Sequence, residues 1–207
     1  MGEDAKKLRR VPSQERSRKR LEAILEAGAA VFAETGFEAA TMEAIAARAE
    51  TSVGSLYQFF PNKRALFRAV AERCMERTAQ RLAELLGDAP ASREWEELLD
   101  SVIDGFAELI TTDPFFRAVW SNIQLYPEYA EADAALENAM VDVTSGVIAV
   151  WAPSMEPARR EVVARVVVDC IGAMLLVAHR EGKKKRPRFI AETKLMLRRY
   201  LAAEVSR

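Results

Sequence analysis

Apolar residues recur at helical spacing along most of the chain. Leu21, Ile24, Leu25, Gly28 and Phe32 form the first stripe, which predicts a helix from about Ser13 or Ser17 to Thr35, ended by Gly36 as a left-handed cap. Thr41 is an N-cap type, because its hydroxyl accepts N–H groups left free at a helix start, and it predicts a second, short helix from Met42 to about Ala49. Ser52 repeats that signal, and Val53 to Phe59 has room for only two turns before Phe60 and Pro61 stop it. Asn62 then caps a long helix whose stripe of Leu66, Phe67, Val70, Ala71, Cys74, Thr78, Leu82, Leu85 and Leu86 runs to Gly87.

The second half reads the same way. Residues 87–91 are loop-like, Ser92 is the next cap, and Trp95, Leu98, Leu99, Val102, Ile103, Phe106, Leu109 and Ile110 mark an amphipathic helix. Asp113-Pro114 pairs a cap with proline at the first helical position, opening a short helix through Phe115, Phe116, Val119, Trp120 and Ile123 that Tyr126-Pro127 breaks. A longer helix runs to about Trp151, and Pro157 starts the next. From Val162 to Ala178 the sequence is apolar nearly all round except for Arg165 and Asp169; this is short of the roughly 20 residues a bilayer needs, so a buried subunit interface is expected instead. Asp169 is expected to pair with Arg165 one turn back, the other readings being that it faces a ligand cavity or sits near a dimer dyad. Gly182 is expected to end that helix, Lys183 to Arg188 to form a basic turn, and Phe189, Thr193, Met196, Leu197, Tyr200 and Leu201 to mark a last helix over 188–203. No segment alternates like a strand for long, so the expected fold class is all-α.

Composition narrows the chemistry. The 207 residues carry 30 basic and 31 acidic side chains, yet residues 1–20 hold eight basic residues against three acidic ones. This basic start precedes no apolar run, so it is not a secretory signal; a cytoplasmic location is expected, and no membrane span. Two distant cysteines, Cys74 and Cys170, and a single histidine, His179, supply neither metal-ligand spacing nor a two-histidine mechanism. No catalytic site, metal or cofactor is expected.

Two short helices joined by Glu50-Thr51-Ser52 have the geometry of a helix-turn-helix, with Ile45, Ala46, Ala49, Leu56 and Phe60 as its expected interior. Residues 17–67 resemble the DNA-binding domain of the TetR family of transcriptional regulators in motif order and spacing. The motifs are Ala33-Glu34-Thr35-Gly36-Phe37, Thr41-Met42-Glu43-Ala44-Ile45-Ala46, and Gly54-Ser55-Leu56-Tyr57-Gln58-Phe59-Phe60-Pro61-Asn62-Lys63 with Leu66. One departure is Glu50-Thr51, where the family usually has Gly-Val. The expected division is a basic arm over 1–12, a helix-turn-helix domain over 13–61, a connecting helix over 62–87, and a regulatory and dimerisation domain over 88–207.

The candidate DNA contacts follow from position. Thr41 and Ser52 stand at helix starts whose N–H groups suit phosphates, whereas Val53, Gly54, Ser55, Gln58 and Phe59 lie on the first turns of the reading helix. Gly54 either permits close approach to DNA or serves packing between the two short helices. The resemblance implies that Tyr57 and Lys63 touch the phosphate backbone, that Arg16, Arg18 and Arg20 assist, and that a small molecule in the second half lowers DNA affinity. A reading head this small covers one half-site, so a homodimer on a palindromic double-stranded operator is expected, paired through residues 157–181 and 188–203. Trp95, Phe106, Phe116, Trp120, Tyr126 and Trp151, beside Phe115, Tyr129 and Met140, offer surface for a small hydrophobic or aromatic effector, although core packing alone also accounts for such residues. The competing readings are a constitutive or architectural DNA binder without an effector, and a helical enzyme using His179; Ser55 and Gln58 at reading positions and a net charge of −1 disfavour binding by charge alone.

Overall fold

The computed structural model of the chain describes residues 15–87 and 93–205, all of whose regular structure is helical. The basic arm and the Ser92 cap lie outside the described residues. The helices are α1 (Glu15–Ala39), α2 (Met42–Arg48), α3 (Val53–Phe59), α4 (Lys63–Leu86), α5 (Trp95–Thr112), α6 (Pro114–Trp120), α7 (Ala130–Trp151), α8 (Pro157–Arg180) and α9 (Gly182–Val205). They fall into two compact units: Met1–Glu76 with Thr111–Ala132, and Arg77–Ile110 with Asp133–Arg207.

In the first unit the caps act as their residue types require. Thr41 accepts from the Ala44 N–H at 3.1 Å, Ser52 from Ser55 at 3.1 Å and Asn62 from Ala65 at 2.8 Å. Asp113 accepts from Phe115 and Phe116, with Pro114 behind it at the start of α6. Gly36 breaks α1 with φ 78° and ψ 165°, but residues 37–39 wind one further turn before the chain leaves for α2. Beneath this break Phe32, Phe37 and Phe67 meet with ring centroids 5.3 to 5.7 Å apart, and Tyr129 extends the cluster. The helix expected to reach Ile123 ends at Trp120, and Ile123–Glu128 forms a tight 3-10 turn containing Pro127. Arg64 and Arg68, one turn apart on α4, both bind the Glu128 carboxylate, and the hydrogen bond from Arg68 is the main cause that holds its pKa below the usual range.

In the second unit α8 packs along α9, and Val163, Ala164, Val167, Ile171, Leu175 and Ala178 of the one and Thr193, Leu197 and Leu201 of the other are buried. Three expectations are corrected here. The basic segment 183–188 is no turn: Gly182, at φ 78°, reverses the chain in one residue and α9 starts there, with Pro187 inside it forgoing one backbone hydrogen bond. The apolar run, with Arg165 and Asp169 inside it, is part of a 24-residue helix that by length and composition alone is long enough to cross a membrane. Arg165 does not turn to Asp169. It binds Glu137 at 3.1 Å and Asn138 at 2.5 Å on α7, because that neighbour offers better-placed acceptors than its own helix. Asp169 instead faces Glu137, whose pKa is raised by burial first and then by that like charge.

Candidate nucleic-acid interface

The turn between α2 and α3 is a helix C-terminus closed twice over. The Thr51 N–H bonds the Ala46 carbonyl at 3.0 Å and the Glu50 N–H bonds that of Ala47 at 3.2 Å, the six-to-one and five-to-two pattern of a Schellman motif. That pattern puts Glu50 in the left-handed region, at φ 51°, where an L side chain costs about 1 kcal/mol relative to glycine. Replacing Glu50 by glycine is therefore expected to keep the fold and raise the melting temperature by roughly 1–3 °C, read by thermal denaturation. A fall would mean that the carboxylate makes a compensating contact.

Ile45, Ala46, Leu56 and Phe60 are all buried and hold α2 and α3 together, with Ala49 at the margin. The outward positions of α3 separate by helical phase. Val53 and Ser55 are half-buried, while Gly54, Tyr57 and Gln58 are exposed. A β-carbon added to Gly54 would meet nothing within 4 Å, so this glycine leaves open space on the outer face and makes no room between helices. Phe59 is a correction: at 4% exposure it lies with Leu56, three residues earlier on the same helix face, and belongs to the interior. The Ser55 hydroxyl is buried with no hydrogen-bond partner, although its N–H is capped by Ser52.

Lys63 has partners that the sequence did not disclose. Its ammonium donates to the carbonyls of Phe37, Ala40 and Glu38 at 2.6, 2.8 and 3.1 Å and stands 4.5 Å from the centre of the Phe37 ring. Arg16, Arg18, Lys19 and Arg20 are exposed on the first turns of α1, with Arg18 hydrogen-bonded to Glu15. Arg48, at the end of α2, is bound to Glu34 at 2.6 Å.

The residue that sequence reasoning missed is Asn122. It is 1% exposed, accepts from the Phe37 N–H at 2.7 Å, and donates to the carbonyls of Ala118 at 2.7 Å and Phe32 at 3.3 Å. Thus the end of α6 holds the break at Gly36 in place. The only available signal was an asparagine just past a helix end, which points equally to an ordinary cap.

The six candidate effector residues divide between the units. Phe116, Trp120 and Tyr126 belong to the first, where Phe116 is buried and Tyr126, 43% exposed, packs edge-on against Tyr129. Trp95, Phe106 and Trp151 belong to the second, with Phe106 buried and both tryptophans half-buried.

Two capped helices around a Schellman turn, with a polar outer face on the second, define a helix-turn-helix protein. Residues 24–70 match the profile of bacterial regulatory proteins of the tetR family, and residues 93–205 match the tetracyclin repressor-like C-terminal domain. The chain belongs to the TetR family of bacterial transcriptional regulators. It is 30% identical over 159 residues to the HTH-type transcriptional repressor KstR of Rhodococcus jostii, covering 76% of this chain and 70% of that one. It is also 31% identical over 134 residues to the repressor AcnR of Corynebacterium diphtheriae, covering 62% of this chain and 70% of the other. Among solved structures, a TetR-family regulator from Streptomyces coelicolor is 29% identical and superposes with a TM-score of 0.65 over 89% of this chain and 99% of its own.

Proposed function

We propose that this regulator is a homodimeric, ligand-responsive repressor that reads a palindromic double-stranded operator in the cytoplasm. The observation that carries the DNA-reading role is the outer face of α3, where Gly54 leaves open space beside the exposed Tyr57 and Gln58 one turn on, and Gln58 extends a bidentate amide. On this reading Gln58 pairs with a base edge, Val53 touches an apolar base substituent, Gly54 lets the backbone approach, and Ser55 stands at the margin. Thr41, Ser52 and Tyr57 lie against flanking phosphates. The basic start of α1 adds charge without sequence preference.

Repression, rather than activation, is supported by the two relatives, both repressors by name. Pairing through 157–181 and 188–203 is supported by the apolar face that α8 and α9 leave uncovered within the subunit: Val162, Val177, Leu195 and Met196 are exposed, and only 33% of the most apolar stretch of α8 is buried. The two charged residues of that stretch favour a protein partner over lipid. For the effector, a small hydrophobic or aromatic molecule, the half-buried Trp95 and Trp151 in the second unit and Trp120 in the first keep surface that Phe106 and Phe116 have already given to the core. Tyr126 is the most exposed of the set. Such a ligand acts only by preferring the arrangement that does not bind DNA, and DNA must weaken its binding by the same factor.

Selection of bound fragments from random duplex DNA at fixed salt tests the reading. It is expected to return an inverted repeat with half-site centres about 34 Å, or a small multiple, apart. Repeating the selection with Gln58→Ala should erase preference at one position of each half-site, worth about 1–3 kcal/mol. No enriched sequence, or an equal loss on every sequence, would refute it.

A further inference from the structure

We propose that Lys63 is a positioning residue, which seats the helix-turn-helix from within the protein instead of binding a phosphate; the inference rests on the DNA-reading role proposed above. An ammonium has three N–H donors, and here each has a carbonyl: Phe37 at 2.6 Å, Ala40 at 2.8 Å and Glu38 at 3.1 Å. These carbonyls belong to the turn that follows the break at Gly36, where α1 stops and its last acceptors lose helical partners. The Phe37 ring 4.5 Å away adds a cation–π contact on another side.

The position of these partners in the chain gives the contact its consequence. Ala40 immediately precedes the Thr41 cap, so it is where the chain enters α2; Lys63 is the first residue of α4, where the chain has just left α3. One side chain therefore ties the entry of the helix-turn-helix to its exit. Turning the ammonium outward to a phosphate would strip the part-buried carbonyls of Phe37 and Ala40, and the exposed one of Glu38, of their donor, whereas the exposed Arg16 and Arg20 can meet phosphates with no such loss.

Lys63→Met, equal in length and uncharged, separates the roles in the full-length protein. Three quantities are measured: melting temperature without DNA, affinity for the selected operator and for random duplex well below that temperature, and the salt slope of each. Positioning predicts a melting temperature lower by roughly 5 °C, an operator-to-random affinity ratio reduced about tenfold, and an unchanged slope. A phosphate contact predicts equal weakening on both DNAs and a slope smaller by about 0.9, which would overturn the proposal. An unchanged melting temperature, or a lowered one with the ratio intact, would overturn it as well. Should Lys63→Met not fold, Lys63→Arg serves in its place, since the larger planar guanidinium spreads its donors in a fixed fork that does not fit the space an ammonium fills among these three carbonyls, although it binds phosphate well. If the wild-type protein selects no sequence, the DNA-reading role fails by itself, while the melting temperatures still test the tie between the two ends of the motif.

Discussion

Asn122→Ala is expected to destabilise the protein by about 3 kcal/mol, lowering the melting temperature by on the order of 10 °C. The size follows from what is stranded. Asn122 is buried to 1% exposure and is the acceptor for the Phe37 N–H, so its loss leaves a buried donor without a partner as well as two carbonyls, of Phe32 and Ala118, without that amide. Asn122→Asp should be little better, because a carboxylate keeps the acceptor but presents oxygen to two carbonyl oxygens. The damage centres on the turn that also carries the Lys63 contacts, so operator affinity should fall along with stability. Thermal and urea denaturation read the first effect; a loss under 1 kcal/mol would mean that water or a rearranged turn replaces the side chain.

The second large effect concerns subunit pairing. If the proposed homodimer pairs through this face, Val162→Glu combined with Val177→Glu is expected to yield a folded monomer and to reduce operator affinity on the order of 1,000-fold, since one reading head alone would lose the effective concentration that a twin provides. Val162 is 52% exposed and Val177 37% exposed within a single subunit, so the glutamates meet water there and the fold is retained. In a dimer closed over this face the same carboxylates are buried against apolar surface and their own copies, which costs several kcal/mol. Sedimentation velocity and circular dichroism together decide the matter. A variant that stays dimeric at micromolar concentration would place the pairing surface elsewhere.

The local features of the fold were legible because their physics is local. Thr41, Ser52, Asn62 and Asp113 each satisfy a backbone N–H no more than three residues ahead, so the residue type and the position of the next apolar stripe suffice to place them. Glu50 stands two residues past the end of α2, at the position where the Schellman motif requires positive φ whoever occupies it. Phe59 was misplaced by counting turns of α3 without following phase: a residue three beyond Leu56 shares its buried side.

What the amino-acid order determined, then, is the succession of helices, their caps, and a two-turn second helix of the helix-turn-helix packed on a short partner, because each depends on hydrogen bonds and apolar spacing within a few residues. Only the tertiary structure decided that Asn122 would reach back to Phe32 and Phe37, that Lys63 would close on the end of α1, and that Arg165 would choose Glu137 on α7 over Asp169 on its own helix. Those pairings join residues well separated along the chain, and a polar side chain at a helix end or on a helix face has several equally reasonable partners until packing brings one of them within 3 Å or so. The same packing leaves Val162, Val177, Leu195 and Met196 uncovered, a property of the folded surface that no stretch of sequence contains by itself.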